Sequence, residues 1–358
     1  MAAGKAAREG ILRVHPDAEV VIKPLADGGE GTTEALIEGL SGERITLTVT
    51  GPYGQPVEAY YGIIPESNTA VIEMAQAAGI TLDARRDPWS ATSFGVGEMI
   101  ADAFRRGCRR FIVGIGGSAT NDGGIGMLTA LGVNFSDEKG ACPGQGAQAL
   151  GKIADLSLES LIPGLNDCEF LIACDVNNPL CGENGATSVF GPQKGVAGTD
   201  IPIIDQSMKQ YAGVAARCVG HDYSCVPGAG AAGGLGFAFL YALRGRLVSG
   251  IDLILDTIGL EEAIRNADIV ITGEGRLDAQ TTMGKAPSGV ASLAKKHGKK
   301  VIAFAGSVSP DARKCNEAGI DAFFPILRSV CSLEEAMNAA NAYRNLCDTA
   351  EQVFRAML

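Results

Sequence analysis

Apolar residues along the chain recur first at helical spacing, then in alternation, and finally in short unbroken runs separated by helical stretches. Residues 2–14 predict a helix and 18–22 a short strand, after which a turn rich in Gly leads into a helix over 32–40. From Ile45 the pattern becomes alternation. The stretches 45–50, 57–64 and 69–74, the first two parted by Gly51-Pro52-Tyr53-Gly54, predict antiparallel strands. A helix over 97–106 precedes the apolar run 111–115, a buried strand by its length and content. Further on, 125–131 predicts a helix, 170–174 a strand, and 201–258 mostly helix. The last third alternates: strand 269–272, helix 286–297, strand 301–305, helix 311–318, strand 322–326, then a stretch opened by Ser332 and Glu335 at capping-box spacing.

That closing order implies a parallel sheet covered by helices, which the antiparallel strands of the first quarter are not expected to join. The fold class expected is α/β, with two discontinuous α/β domains. One is a parallel-sheet, Rossmann- or flavodoxin-like domain of residues 1–44, 88–122 and 259–358. The other is a mixed α/β domain with antiparallel strands, formed by 45–87 and 123–258. A length of 358 residues suits two cores.

Composition narrows the function. With 46% hydrophobic and 20% charged residues the chain is globular. A net charge of −11 argues against nucleic acid or anionic membrane as partner. No apolar run reaches the ~20 residues of a membrane span, and the first residues carry no apolar signal core, so a cytoplasmic location is expected. Ten cysteines without a CxxC pair read as reduced thiols. His15, His221 and His297 stand in dissimilar surroundings and do not assemble a zinc site or a Ser-His-Asp hydrolase. The 48 glycines, nearly twice the usual ~7%, cluster in short runs where backbone must turn sharply or approach a ligand.

Four polar, glycine-rich segments interrupt the apolar pattern: 25–32 (LADGGEGT), 114–124 (GIGGSATNDGG), 174–192 with Lys194, and 272–287 (TGEGRLDAQTTMGKAP). Each joins backbone amides to carboxylates or a lysine, a mixture suited to magnesium-bound phosphate. Asp175 stands at the end of an apolar strand, where ligands meet α/β sheets, although it also fits an Asx turn into Asn177 and Asn178. Glu274 and Asp278 follow another strand and flank Arg276. Lys285 suits a phosphate, or equally a solvated lysine at a helix start, while Asp27 and Glu30 could bind ligand or cap the helix at 32. Gly114-x-Gly116-x-x-Ala119 matches a dinucleotide fingerprint loosely, but Asn121 and Asp122 follow it. Gly228-x-Gly230-x-x-Gly233 matches it literally without a preceding strand. No Walker A sequence is present.

These blocks, together with ACDVNNPL, FGPQKG and PGAGAAGGLG, resemble in sequence and order the signatures of the bacterial type I glycerate kinases, from about residue 2 to the C-terminus. The resemblance implies a two-domain protein with its site in the cleft between domains. It also implies transfer of the ATP γ-phosphate to D-glycerate, giving 2-phosphoglycerate rather than 3-phosphoglycerate, with Mg²⁺, in a monomer or homodimer. On this reading Asp175, Asp278, Glu274 and Lys285 are catalytic, with Asp175 or Asp278 in the metal or base role and Lys194 and Lys285 on phosphates. Asp27, Glu30, Gly116, Gly117, Ser118, Asn121, Asp122, Gly228, Gly230 and Gly233 contact nucleotide or glycerate, and Arg276 pairs with the glycerate carboxylate. Family members usually begin with a strand and a loop carrying an Asp and a Lys. Residues 1–14 resemble the helix after that loop, so the chain is expected to lack both and to be less active for it. A nicotinamide-dependent dehydrogenase built on 114–119 and a silent ligand-binding protein are the alternatives.

Overall fold

The computed structural model describes residues 1–26, 31–282 and 286–357, and divides into two compact units, Gly28–Leu253 on one side and Met1–Asp27 with Ile254–Leu358 on the other. Both are α/β, as the pattern of elements predicts. Among the described residues no helix is long and apolar enough to cross a membrane.

The larger unit is built on a six-stranded sheet. Its strands are β1 (Glu43–Thr50), β2 (Pro56–Ile64), β3 (Thr69–Glu73), β4 (Arg110–Gly114), β7 (Glu169–Ala173) and β8 (Arg246–Val248), in the spatial order β1-β2-β3-β4-β7-β8. The short strands β5 (Asn134–Ser136) and β6 (Asp155–Ser157) pair separately. β1, β2 and β3 are antiparallel neighbours, whereas β3, β4, β7 and β8 run parallel. The sequence shows the reason. β1 alternates and leaves one face open, while β3 and β4 are apolar along nearly their whole length and are covered on both sides. Phe111 of β4 stacks on Phe170 of β7 with ring centroids 4.6 Å apart, at the centre of the core.

This sheet also explains where the division between units falls. Segments 31–44 and 88–122, grouped by the sequence pattern with the C-terminal third, lie in the larger unit, because β4 is hydrogen-bonded between β3 and β7. Helix Phe94–Arg105 packs its buried Val96, Met99 and Ile100 into the same core.

The smaller unit holds the parallel sheet β11-β10-β9, with β9 at Ile269–Leu277, β10 at Lys300–Val308 and β11 at Ala322–Pro325. β9 runs five residues beyond the strand expected at 269–272. Its register with β10 continues to Val308↔Leu277, and glycines permit this: a Cβ on Gly273 would meet Phe304 O at 2.3 Å, and one on Gly306 would meet Gly275 O at 2.6 Å. Residues 18–22, expected as a strand, have no ladder partner among the described residues and form none. Helix Ala2–Leu12 lies against the long helix Ala339–Arg355, and Ala6, Ala7 and Ile11 share a core with Leu346, Ala350, Phe354 and the β10 residues Ile302 and Phe304.

Gly10 sets how closely those two helices approach. A Cβ there would lie 2.1 Å from Cys347 O, a backbone atom that cannot move aside, whereas one on Gly213 of helix Ile201–Val219 would meet only Arg217 Nη1 at 4.0 Å. Gly10→Ala is therefore expected to cost about 1–3 kcal/mol and lower a thermal transition by several degrees. Gly213→Ala should instead leave the melt unchanged or raise it, since Ala is the better helix former by about 1 kcal/mol. Thermal melts of the two variants check this; equal shifts would refute the close approach.

Candidate active site

In the larger unit β3, β4, β7 and β8 all point the same way, so the segments that follow them emerge at one edge of the sheet, where open α/β sheets bind ligands. The loop after β4 is nearly all interior: from 111 to 128 only Gly116 and Gly117 are exposed. Their amide N–H groups and that of Ser118 donate to no described residue, while the carbonyl of Gly117 accepts from Ile80 N and Ala119 N donates to Ala78 O. Gly117 has φ +72°, a conformation that glycine adopts without strain. The outcome is an exposed pair of amides, without a partner among the described residues, on a fastened loop.

Buried polar groups do the fastening. Asp122 is fully buried and accepts from Ser93 N and Ser93 Oγ, each at 2.8 Å, from Gly124 N at 3.1 Å and from Gly126 N at 3.3 Å. Burial pushes its carboxyl above the usual range, and those four donors oppose the shift. Asn121 Nδ2 donates to Thr187 Oγ1 at 2.9 Å. Tyr211 reaches Gly123 O at 3.2 Å and also bonds the Tyr241 hydroxyl at 2.9 Å. Lys194 is 3% exposed and donates to Ser118 Oγ at 2.7 Å and to Thr120 O at 2.6 Å. Desolvation pulls the Lys194 ammonium down to about 7, and the Asp122 charge pulls it back up.

Gly228, Gly230 and Gly233 sit where neighbours come close, a side chain at Gly228 and backbone at the other two. A Cβ on Gly228 would meet Leu247 Cδ1 at 2.7 Å, one on Gly230 would meet Pro179 O at 2.2 Å, and one on Gly233 would meet Thr120 O at 2.2 Å. Gly233 O accepts from Gly123 N at 2.9 Å, and Gly230 N donates to Asn178 O at 3.0 Å. The segment 228–234 is thus held against both the 114–124 and the 174–180 loops. Ala232, Gly233 and Gly234 form three successive left-handed residues, and for Ala232 this carries strain of about 1–2 kcal/mol.

Asp175 follows β7 and is exposed. Its Oδ1 accepts from Gly250 N at 2.9 Å, at the start of helix Gly250–Thr257.

In the smaller unit, Glu274 and Arg276 lie on β9 and Asp278 just beyond it. Glu274 accepts from the Thr281 hydroxyl, Asp278 Oδ1 from Gln280 N at 2.9 Å, and Arg276 Nε stands 3.9 Å from Asp278 Oδ2. Arg276 is exposed, so this weak pairing leaves its guanidinium available. Asp27, Glu30 and Lys285 lie outside the described residues. A separate concavity of about 600 Å³ over β10 and β11, lined by Ile302, Phe324, Val353, Lys300 and Arg328, contains none of the residues singled out from the sequence.

Two residues that sequence reasoning passed over belong to the same edge. Glu73 ends β3, is buried, and accepts from Thr33 N at 2.8 Å and Gly31 N at 3.3 Å, so it caps helix Thr32–Gly39 from a distant strand. Ser93 is the main partner of Asp122. A carboxylate closing an otherwise apolar strand and the Thr92-Ser93 pair before a helix were the available signals.

Comparison with known proteins agrees with this architecture. A model of the glycerate kinase family matches residues 1–358. Glycerate 2-kinase of Escherichia coli (strain K12) is 45% identical over 351 residues, covering 98% of this chain and 92% of its own. Glycerate kinase of Bacillus subtilis (strain 168) is 44% identical over 343 residues, covering 95% and 90%. The crystal structure of a provisionally assigned glycerate kinase 2 from Salmonella typhimurium LT2 superposes with a TM-score of 0.91 at 42% identity, covering 99% of this chain and 93% of that one. With a family model spanning its full length and relatives this similar across nearly all of it, the chain belongs to the glycerate kinase family.

Proposed function

We propose that this glycerate kinase transfers the γ-phosphoryl group of ATP to the 2-hydroxyl of D-glycerate, releasing 2-phosphoglycerate and ADP. The observation that carries the reading is the exposed amide pair of Gly116 and Gly117 at the end of β4, a ready seat for an anionic group. The choice of the 2-hydroxyl is supported by the 45% identical relative named glycerate 2-kinase.

In phosphoryl transfer the protein contributes chiefly position and charge. The Gly116 and Gly117 amides and Ser118 would hold one anionic end of a substrate. Arg276 would grip the glycerate carboxylate through two parallel hydrogen bonds, and Lys285 would meet a phosphate. Asp175, or Asp278, would accept the proton of the attacking hydroxyl or face the metal, and Glu274 would support the same chemistry. Asp175 is already oriented by Gly250 N, which fixes one oxygen and directs the carboxylate.

Among the described residues no three His, Cys, Asp or Glu side chains converge as a metal cluster. The exposed carboxylate of Asp175 suits a magnesium ion that arrives on nucleotide phosphates and takes one or two carboxylates from the protein. Asp175 or Asp278 would hold it, and the ion would neutralise charge on the transferring phosphate.

Three outcomes test the proposal. Protein supplied with Mg-ATP and D-glycerate should release ADP only when glycerate is present, and the product should be consumed directly by enolase; product that needs a mutase first would show attack by the 3-hydroxyl. Asp175→Asn keeps an oxygen for Gly250 N, so it should hold the melting temperature while kcat falls ~100-fold or more; Asp175→Ala should also lose ~1 kcal/mol of helix capping. An Asn variant retaining a tenth of wild-type kcat would remove Asp175 from the chemistry. EDTA should stop turnover yet leave the thermal melt of the ligand-free protein unchanged, whereas a lower melting temperature would reveal a resident structural ion.

A further inference from the structure

Lys194 is a buried cation whose partners lie on the loop that carries the exposed amides. Its Nζ sits 2.7 Å from Ser118 Oγ and 2.6 Å from Thr120 O, with the side chain 3% exposed. In its ammonium form Lys194 has donors and no lone pair, so across this contact Ser118 Oγ then accepts. The hydroxyl hydrogen of Ser118 must then turn away from Lys194. No described residue accepts it, and the neighbouring backbone groups of Gly116 and Gly117 are the exposed part of the loop.

We infer that Lys194 is a positioning residue that fixes the direction of the Ser118 hydroxyl, so that Ser118 joins the Gly116 and Gly117 amides as a third donor to one anionic group of the substrate, a carboxylate or a phosphate. The inference deepens the proposed function and rests on it. It assigns Lys194 an action through Ser118 instead of a direct contact. Desolvation, which lowers the ammonium's affinity for its proton, is opposed by the Asp122 charge.

The geometry makes the two side chains a single unit, and units of this kind are non-additive when dissected. The experiment compares wild type, Ser118→Ala, Lys194→Met and the double variant by thermal melt and by kcat/KM for D-glycerate with Mg-ATP. Ser118→Ala should melt like wild type and lose about 100-fold in kcat/KM, the low end of the range for a preorganised donor. Lys194→Met should lose at least as much, and the double variant should stay within threefold of it. Losses that multiply in the double variant, or a Ser118→Ala variant within threefold of wild type, overturn the inference while leaving the kinase reading intact. Folded wild type without glycerate-dependent turnover overturns both. If Lys194→Met does not fold, Lys194→Gln replaces it in the cycle, its amide still able to donate to Thr120 O. Failure of both to fold identifies Lys194 as a strut of the fold and overturns the positioning role.

Discussion

The burial of one carboxylate governs the larger unit. Asp122 lies in the interior with four hydrogen-bond donors around it, two from Ser93 and two from the amides of the next turn. An unpaired charge at such depth would be prohibitive, and each bond to a charged group contributes about 1.5–3 kcal/mol, so the chain near 122 has little freedom once Asp122 is placed. Ser93 in turn sits at the start of helix Phe94–Arg105, whose Met99 and Ile100 are core residues. A loop that surfaces only at two glycines is thereby tied to the sheet, to a helix and to the glycine-rich 228–234 segment. Rigidity of this kind matters in phosphoryl transfer, where donors must already be in place when the substrate arrives.

Close approach is the second theme, and glycine is its means. The contacts of Gly230 with Pro179 O and of Gly233 with Thr120 O are backbone against backbone. No side chain could be traded into them without parting the loops. The glycine surplus therefore reflects two separate demands, exposed amides at 116–117 and backbone contact at 228–234, which composition alone cannot separate.

Much of the frame was legible in the sequence. β4 and β7 are short, apolar and bounded by polar turns, so periodicity and length identify them, and the ordered glycine-rich blocks pointed to the right family. Partners distant in sequence were not legible. Glu73 serves amides some 40 residues away and Asp122 binds Ser93 29 residues away, distances at which no local pattern carries information. Lys194, in the block Phe-Gly-Pro-Gln-Lys-Gly, reads as a phosphate ligand, and only the fold reveals that it is interior and bonded to Ser118 and Thr120. The extension of β9 to Leu277 escaped for a related reason: Gly273 and Gly275 signal a loop by propensity, while pairing with β10 makes them strand. The same tertiary demand places Ala232 in a left-handed conformation that its own propensity disfavours.

The pairing of helix Ala2–Leu12 with helix Ala339–Arg355 also bears on how the chain is made. Helix Ala2–Leu12 is synthesised long before helix Ala339–Arg355, so the part of its apolar face that meets Leu346, Ala350 and Phe354 lacks those partners until the later helix has been translated. At synthesis rates of roughly 5–20 residues per second, that interval is on the order of 20–70 s. Throughout it that helix-to-helix contact cannot form, while residues 28–253, contiguous in sequence, already contain everything their own core requires. The two units therefore differ in what their completion requires: the larger can assemble from one contiguous stretch, the smaller only from segments made before and after it.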